Sequence, residues 1–152
     1  MGIQIFASDA EGMKRVYENP SWMVGIKNWK PANDIANIDC LERHNATDEL
    51  FVLLSGSCVL LSAEPEQEPG GPELGPGQGS ESASALELSA LRMEPFKVYN
   101  VPRSLWHNTV TSKDAKLILI EDSSTGSANS DILNLNEAQR AQARALAAGA
   151  SA

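Results

Sequence analysis

Apolar and polar positions along this chain change over in short runs that alternate, with no sustained helical spacing before the last segment. Residues 21–29 are rich in aromatic and β-branched side chains and read as a strand. Lys30-Pro31-Ala32-Asn33-Asp34 then turns the chain through its Pro, Asn and Asp. A second strand is predicted over 38–44, residues 45–48 break the pattern, and 49–54 resume it. Ser55-Gly56-Ser57 is a tight turn into a strand over 58–63. Further on, 86–93 and 96–101 flank Glu94-Pro95, and Trp106–Thr111 precedes a turn at 112–114. The run 115–121 is apolar and β-branched enough for a buried strand. Short strands punctuated by turn signals predict an all-β sandwich or barrel.

Three stretches depart from that rhythm. In residues 1–20, an N-terminal extension, Ser8 or Asp9 is a candidate cap for a helical turn over 13–17, which Asn19-Pro20 would end. Residues 64–84 are dense in Pro, Gly, Glu and Ser, with almost no large apolar side chain. Such a stretch cannot bury enough surface to offset chain entropy, so it reads as a mobile loop inserted between two strands. Residues 122–131 read as another polar loop. The barrel would thus occupy 21–123, and 124–152 would be a C-terminal loop and helix. Asn136 is a good N-cap for that helix, Glu137 sits at its positive end and Gly149 falls past its end. Its apolar face is mostly alanine, which predicts weak packing or fraying.

Composition narrows the partners. A chain of 152 residues that is 42% hydrophobic and 21% charged fits one globular domain with a real core. The net charge of −8 argues against nucleic acid and anionic membrane surfaces, both of which need a basic footprint. No apolar run approaches the length of about eighteen residues that spans a bilayer, and the N-terminus lacks the basic flank and apolar core of a signal peptide. Cys40 and Cys58 are too few for a disulfide framework. A cytoplasmic protein is expected.

Chemistry concentrates in two stretches, LERHNATDELFVLLSG around His44 and VPRSLWHNTVT around His107, which hold both histidines of the chain. Alternation puts Glu42 and His44 on one face of their strand, with Cys40 and Ile38 below them. Glu49 shares a face with Phe51 and Leu53, and His107 with Thr109 and Thr111. An acid and an imidazole directed into an apolar interior each cost several kcal/mol unless hydrogen bonds or a metal satisfy them. Each residue also has a plainer reading: His44 as a core histidine on a carbonyl, Glu49 as a surface acid, Cys40 and Cys58 as small core side chains. Trp22, Trp29 and Trp106 suit core packing or an aromatic wall for a ligand. Tyr99 and Arg103 stand where they would orient an anionic substrate.

The spacing Glu42-x-His44-x4-Glu49-x6-Gly56 resembles the first motif of the cupin superfamily, with glutamate in place of its first histidine. Pro102-x-Ser104-x2-His107-x3-Thr111 is similar to the second motif, with serine for the usual glycine and threonine for the final asparagine. Ala36 and Phe96 stand where glycines open the two motifs. The resemblance covers most of residues 36–111 and implies a double-stranded β-helix (jelly-roll) barrel of the small RmlC-like kind. It implies His44, Glu49 and His107 as metal ligands, with Glu42 in the place of the remaining one. Such a set suits a divalent ion such as Fe, Mn, Ni or Zn. Glu42 is open between a fourth ligand, a catalytic base beside the metal and an acceptor that holds a ligand water. Without metal, Glu42 and Glu49 are expected to raise each other's pKa.

The leading expectation is a metal-dependent cupin acting on a small polar metabolite, by isomerase, lyase or dioxygenase chemistry. The alternative is a non-catalytic cupin that senses or sequesters a small molecule. A homodimer is expected by the same resemblance, with 21–29 as the candidate pairing edge.

Overall fold

The computed structural model describes residues 2–65 and 86–151. Two five-stranded antiparallel sheets face each other. The first has the order β1 (Gly12–Glu18), β2 (Trp22–Asn28), β9 (Lys116–Asp122), β4 (Glu49–Ser55), β7 (Val98–Val101). The second has β10 (Ser130–Asn134), β3 (Cys40–His44), β8 (Trp106–Thr111), β5 (Cys58–Pro65), β6 (Leu86–Arg92). The chain therefore has the expected all-β jelly-roll architecture, covered on one side by the α-helix α1 (Glu137–Ser151).

Register sorts the interior into tiers. On the first sheet, Met23, Glu121, Glu49 and Val101 pair in one row, and Gly25, Leu119, Phe51 and Tyr99 in the next. Lys27, Leu117 and Leu53 form a third row. On the second sheet Glu42 pairs with His107, Leu60 with Thr109, and Cys58 with Thr111. Partners directly opposite in a ladder share a face. The apolar interior is built from Phe51, Leu53, Cys58, Leu60, Leu117 and Leu119 with their neighbours, and the ionisable row crowns it. Each such large side chain contributes about 1.5–3 kcal/mol by leaving water.

The outer face of the second sheet carries a second core. Leu41, Val59, Leu61 and Trp106 meet Ile38 and Leu135, and Ala143 and Ala147 of α1 press onto them fully buried. Alanine lets the helix approach the sheet closely, so the expectation of weak packing is overturned. Asn136 caps α1 as expected: its Oδ1 accepts from Gln139 N and its own N–H donates to Gln139 Oε1. Gly149 lies inside the helix and not past it. Ile38 precedes β3 and joins the outer core, so it does not share the Glu42–His44 face.

Other expectations also need correction. Residues 13–17 are extended, because they pair with β2 as edge strand β1 and that ladder outweighs a local cap. Strand β2 is paired on both sides, by β1 and β9, so it is no free edge for a second copy. The polar stretch 122–131 ends in β10, whose register with β3 runs from Ser130↔His44 to Asn134↔Cys40. Of the predicted inserted loop, Glu64 and Pro65 belong to β5, and the rest lies outside the described residues.

Of the three positions where the motifs lack glycine, Phe96 and Ser104 keep a glycine-like backbone, and Ala36 lies in a short 3-10 turn without one. Phe96 has φ 64° and Ser104 φ 69°, both left-handed and both paid for by the surrounding turns. Gly56, at φ 70°, is held more tightly: an added Cβ would lie 2.6 Å from Ala115 Cα.

Candidate metal centre

His44 ends β3, Glu49 begins β4 and His107 is the second residue of β8, so three separate strands deliver them to one point. The three are 8%, 3% and 2% exposed. Glu49 Oε2 lies 3.1 Å from His44 Nε2 and 3.0 Å from His107 Nε2. Glu42 Oε1 is 3.9 Å from His107 Nε2, with its side chain 41% exposed at the rim. One donor atom from each of Glu42, His44, Glu49 and His107 lies within 4.8 Å of all the others. Bonds of about 2.0–2.2 Å to one ion put neighbouring donors roughly 3–4 Å apart, so this set fits a cation with a small contraction.

The imidazoles are held from behind. His107 Nδ1 lies 3.0 Å from the Leu105 carbonyl, an acceptor only, so Nδ1 carries the proton and Nε2 faces the centre. His44 Nδ1 bonds Ser130 Oγ at 2.8 Å, across the β3–β10 ladder. The rings of His44 and His107 meet edge-on at 5.3 Å, and Phe51 sets its ring against His107 at 6.3 Å.

Glu121 is the residue that sequence reasoning missed. It sits beside Glu49 in the β4–β9 ladder and its Oε1 is 3.8 Å from His44 Nε2. The signal was present: alternation from Leu117 through Leu119 places Glu121 on the apolar side of a strand. Burial, then its hydrogen bond to Glu49 and that group's charge, push the Glu121 carboxyl up to about 9. Burial also works to raise Glu49, yet hydrogen bonds from His107, His44 and Glu121 outweigh it and hold Glu49 well below the usual carboxylate range. For His107, burial works downward, and the hydrogen bond and charge of Glu49 overcome it and raise the imidazole. The expectation that Glu49 is raised by Glu42 is thus reversed. The acid that stays protonated is Glu121, because it is the member of the buried pair without an imidazole hydrogen bond.

The remaining candidates scatter. Burial raises the Cys58 thiol to about 12 and, with Asp39 beside it, the Cys40 thiol to about 11, which leaves both as poor thiolate ligands. Trp106 packs in the outer core under Arg43, whose guanidinium stands 4.4 Å over its ring, and Trp22 is 46% exposed on the other sheet. Trp29 stands apart from both, beside Lys113, whose Nζ lies 5.7 Å over its ring, so the three tryptophans form no common wall. Tyr99 packs against the interior core and its hydroxyl accepts from Glu94 N, while Arg103 N donates to Asp48.

Two facing antiparallel sheets with a histidine–carboxylate cluster at one end of the interior define a jelly-roll barrel, and solved structures of similar shape are found. Streptomyces Pac13, a nucleoside dehydratase, is 8% identical, covers 91% of this chain and 98% of its own, and superposes with a TM-score of 0.52; a variant of Streptomyces Pac13 was solved with uridine. A cupin-2 domain protein from Shewanella frigidimarina is 12% identical over 76% of this chain and 84% of its own, with a TM-score of 0.43. L-ribose isomerase from Cellulomonas parahominis is 14% identical over 84% of this chain and 62% of its own, at 0.47. No family model and no curated protein matches the sequence. The chain shares the β-barrel fold of Streptomyces Pac13.

Proposed function

We propose that the barrel holds one divalent cation between His44, Glu49, His107 and Glu42, and that the protein is an enzyme acting on a small polar metabolite. The observation that supports this most directly is the fixed tautomer of His107. Its Nδ1–H is committed to Leu105, so the Nε2 lone pair is aimed at the point where His44 Nε2 and Glu49 Oε2 converge. Two nitrogens and two carboxylate oxygens suit Fe, Mn, Ni or Zn, and the raised thiols disfavour a sulfur site. When bound, the cation supplies Lewis acidity toward a carbonyl, carboxylate or enolate.

The chain's own groups divide the remaining work. Ser130 and Leu105 orient the imidazoles, and Glu121, protonated, donates to Glu49 and fixes that carboxylate. Glu42 is the exposed member of the set, and we assign it the movement of a proton to or from substrate at the rim. Elemental analysis of protein purified without chelator should find close to one equivalent of metal per chain. His44→Ala and His107→Ala should each lose it while keeping the β-sheet circular dichroism; normal metal content in both would sink the ligand assignment.

One observation favours a second reading, a non-catalytic binding module. Three of four donors are almost fully buried, as in closed structural sites. Water-proton relaxation of the Mn-loaded protein separates the two, since an open coordination position enhances relaxation and a closed one does not.

A further inference from the structure

We propose that the outer face of the first sheet binds a second copy of this chain, with the N-terminal arm of each copy laid across its partner. Along β2, β9 and β4 the inward residues alternate with outward ones, and register aligns the outward ones in rows. Val24, Ile120 and Leu50 pair in one row, and Ile26, Ile118, Val52 and Val98 in the next. None of them belongs to either core, and Val98 is 66% exposed. The helix packs on the other sheet, so among the described residues no helix or strand covers this face. Contiguous apolar faces beyond about a few hundred Å² mark an interaction surface.

The arm is a second unpaired element. Among the described residues, 2–7 make no backbone hydrogen bond to the barrel, and Ile3 and Ile5 are 97% and 90% exposed. The root of the arm is fixed all the same. Asn28 Nδ2 donates to the Ser8 and Ala10 carbonyls, and Lys116 Nζ to the Ser8 carbonyl and Asp9 Oδ1. Phe6 then meets Tyr17, and Tyr17 meets Trp22, with ring centroids 5.9 and 5.2 Å apart. Tyr17 pairs with Val24, so this aromatic row borders the aliphatic face. An anchored arm that holds two isoleucines in water gains nothing from its own chain.

A second copy fits both elements. The two aliphatic rows contain no acid, although the chain carries a net charge of −8, so two copies can meet there without acid opposing acid. Packed sheets stand about 10 Å apart, and four extended residues span roughly 13 Å, enough for residues 2–5 to cross to a copy seated on the face. Strand spacing and rise make the face roughly 15 by 20 Å in plan, below the about 800 Å² that each partner of a stable pair buries. The arm and its aromatic row are therefore needed to complete the interface. One face set against itself gives a closed two-fold pair, face-on where the sequence suggested edge-on.

Sedimentation equilibrium of the full chain tests this. At micromolar concentration wild type should have twice the mass of one chain. Ile118→Glu should weaken pairing at least about a hundredfold, because a two-fold pair buries the new charge twice, and Ile118→Leu should pair like wild type. Deleting residues 2–5 should weaken pairing at least about tenfold with the β-sheet circular dichroism unchanged. If Ile118→Glu loses that dichroism, the deletion decides, since those residues lie outside every strand. A wild type that stays monomeric at hundreds of micromolar, or an Ile118→Glu variant that pairs like wild type, overturns the proposal. An arm deletion that pairs like wild type overturns the exchange of arms. A monomer that binds anilinonaphthalene sulfonate, with the signal lost in Ile118→Glu, assigns the face to a different protein and equally overturns it.

Discussion

Replacing Glu49 by glutamine tests the logic of the whole cluster, because one carboxylate oxygen serves both imidazoles. In chelated protein Glu49 Oε2 takes His44 Nε2 at 3.1 Å and His107 Nε2 at 3.0 Å, and Glu121 donates to the same group. Hydrogen bonds to an ionised buried acceptor contribute about 1.5–3 kcal/mol each. Glutamine keeps one carbonyl oxygen and so retains part of this, and it also escapes the burial penalty that works against the ionised Glu49. The balance is a loss of about 2–4 kcal/mol, at the lower end of what breaking a buried pair costs. For a domain of this size that lowers the melting temperature by roughly 5–15 °C. Urea unfolding in the presence of chelator measures it, with an unchanged slope showing that the denatured state is the same. A variant as stable as wild type or more so would mean that burial of the charge outweighs its hydrogen bonds, and the account of the cluster would fail.

Further outcomes follow from the same geometry. Ser104→Gly and Phe96→Gly should each stabilise by about 0.5–1 kcal/mol, since the left-handed backbone costs a side chain roughly 1–2 kcal/mol and glycine returns part of that as unfolded-state entropy; unchanged thermal midpoints would contradict the strain. Gly56→Ala should destabilise by more than about 1 kcal/mol, because its Cβ meets Ala115 backbone at 2.6 Å as well as an unfavourable φ; a neutral result in urea unfolding would count against it. The chelated protein should lose stability as pH rises from about 5.5 to about 9. Over that window Glu121, raised from 4.5 to about 9, and His107, raised above 6.5, bind more protons in the folded state and together outweigh Lys27, whose amine is lowered by burial and acts in the opposite direction. The depressed Glu49 acts only at the acid end, where its contribution is lost as pH falls below 4.5 through its folded value. A urea midpoint that climbs between pH 5.5 and 9 would contradict this assignment of the buried protons.

The barrel was legible because its strands follow a period of two between strong turn signals, and Trp106–Thr111 has the predicted bounds. That Glu42, His44, Glu49 and His107 come together was legible through the resemblance of their two stretches to the cupin motifs. What escaped depends on partners distant in sequence. Strand β10 is too polar to announce itself, and it forms because β3 offers it an edge from Cys40 to His44. The extended state of 13–17 is likewise imposed by β2. Glu121 is readable as inward from its alternation with Leu117 and Leu119, whereas the inward face of Lys27 follows from the register of β2 against β9. The helix was misjudged because alanine was weighed for its small area and not for the close approach it permits.

The pairing of β3 with β8 has a mechanical consequence. Within the described residues their ladder registers at one pair only, Glu42↔His107, and below it the seam is bridged by side chains: Asn108 to the Cys40 carbonyl at 2.8 Å, and Asn33 to Thr109. Glu42 and His44 lie on β3 at one side of that seam, His107 on β8 at the other, and Glu49 reaches them from the facing sheet. Any cation held among them is therefore a rivet through the weakest join of the second sheet, and β3 with β10 is the flap it fastens. Withdrawing it should release that flap first, accelerating amide exchange in Cys40–His44 and Ser130–Asn134 while β5 and β9 stay protected.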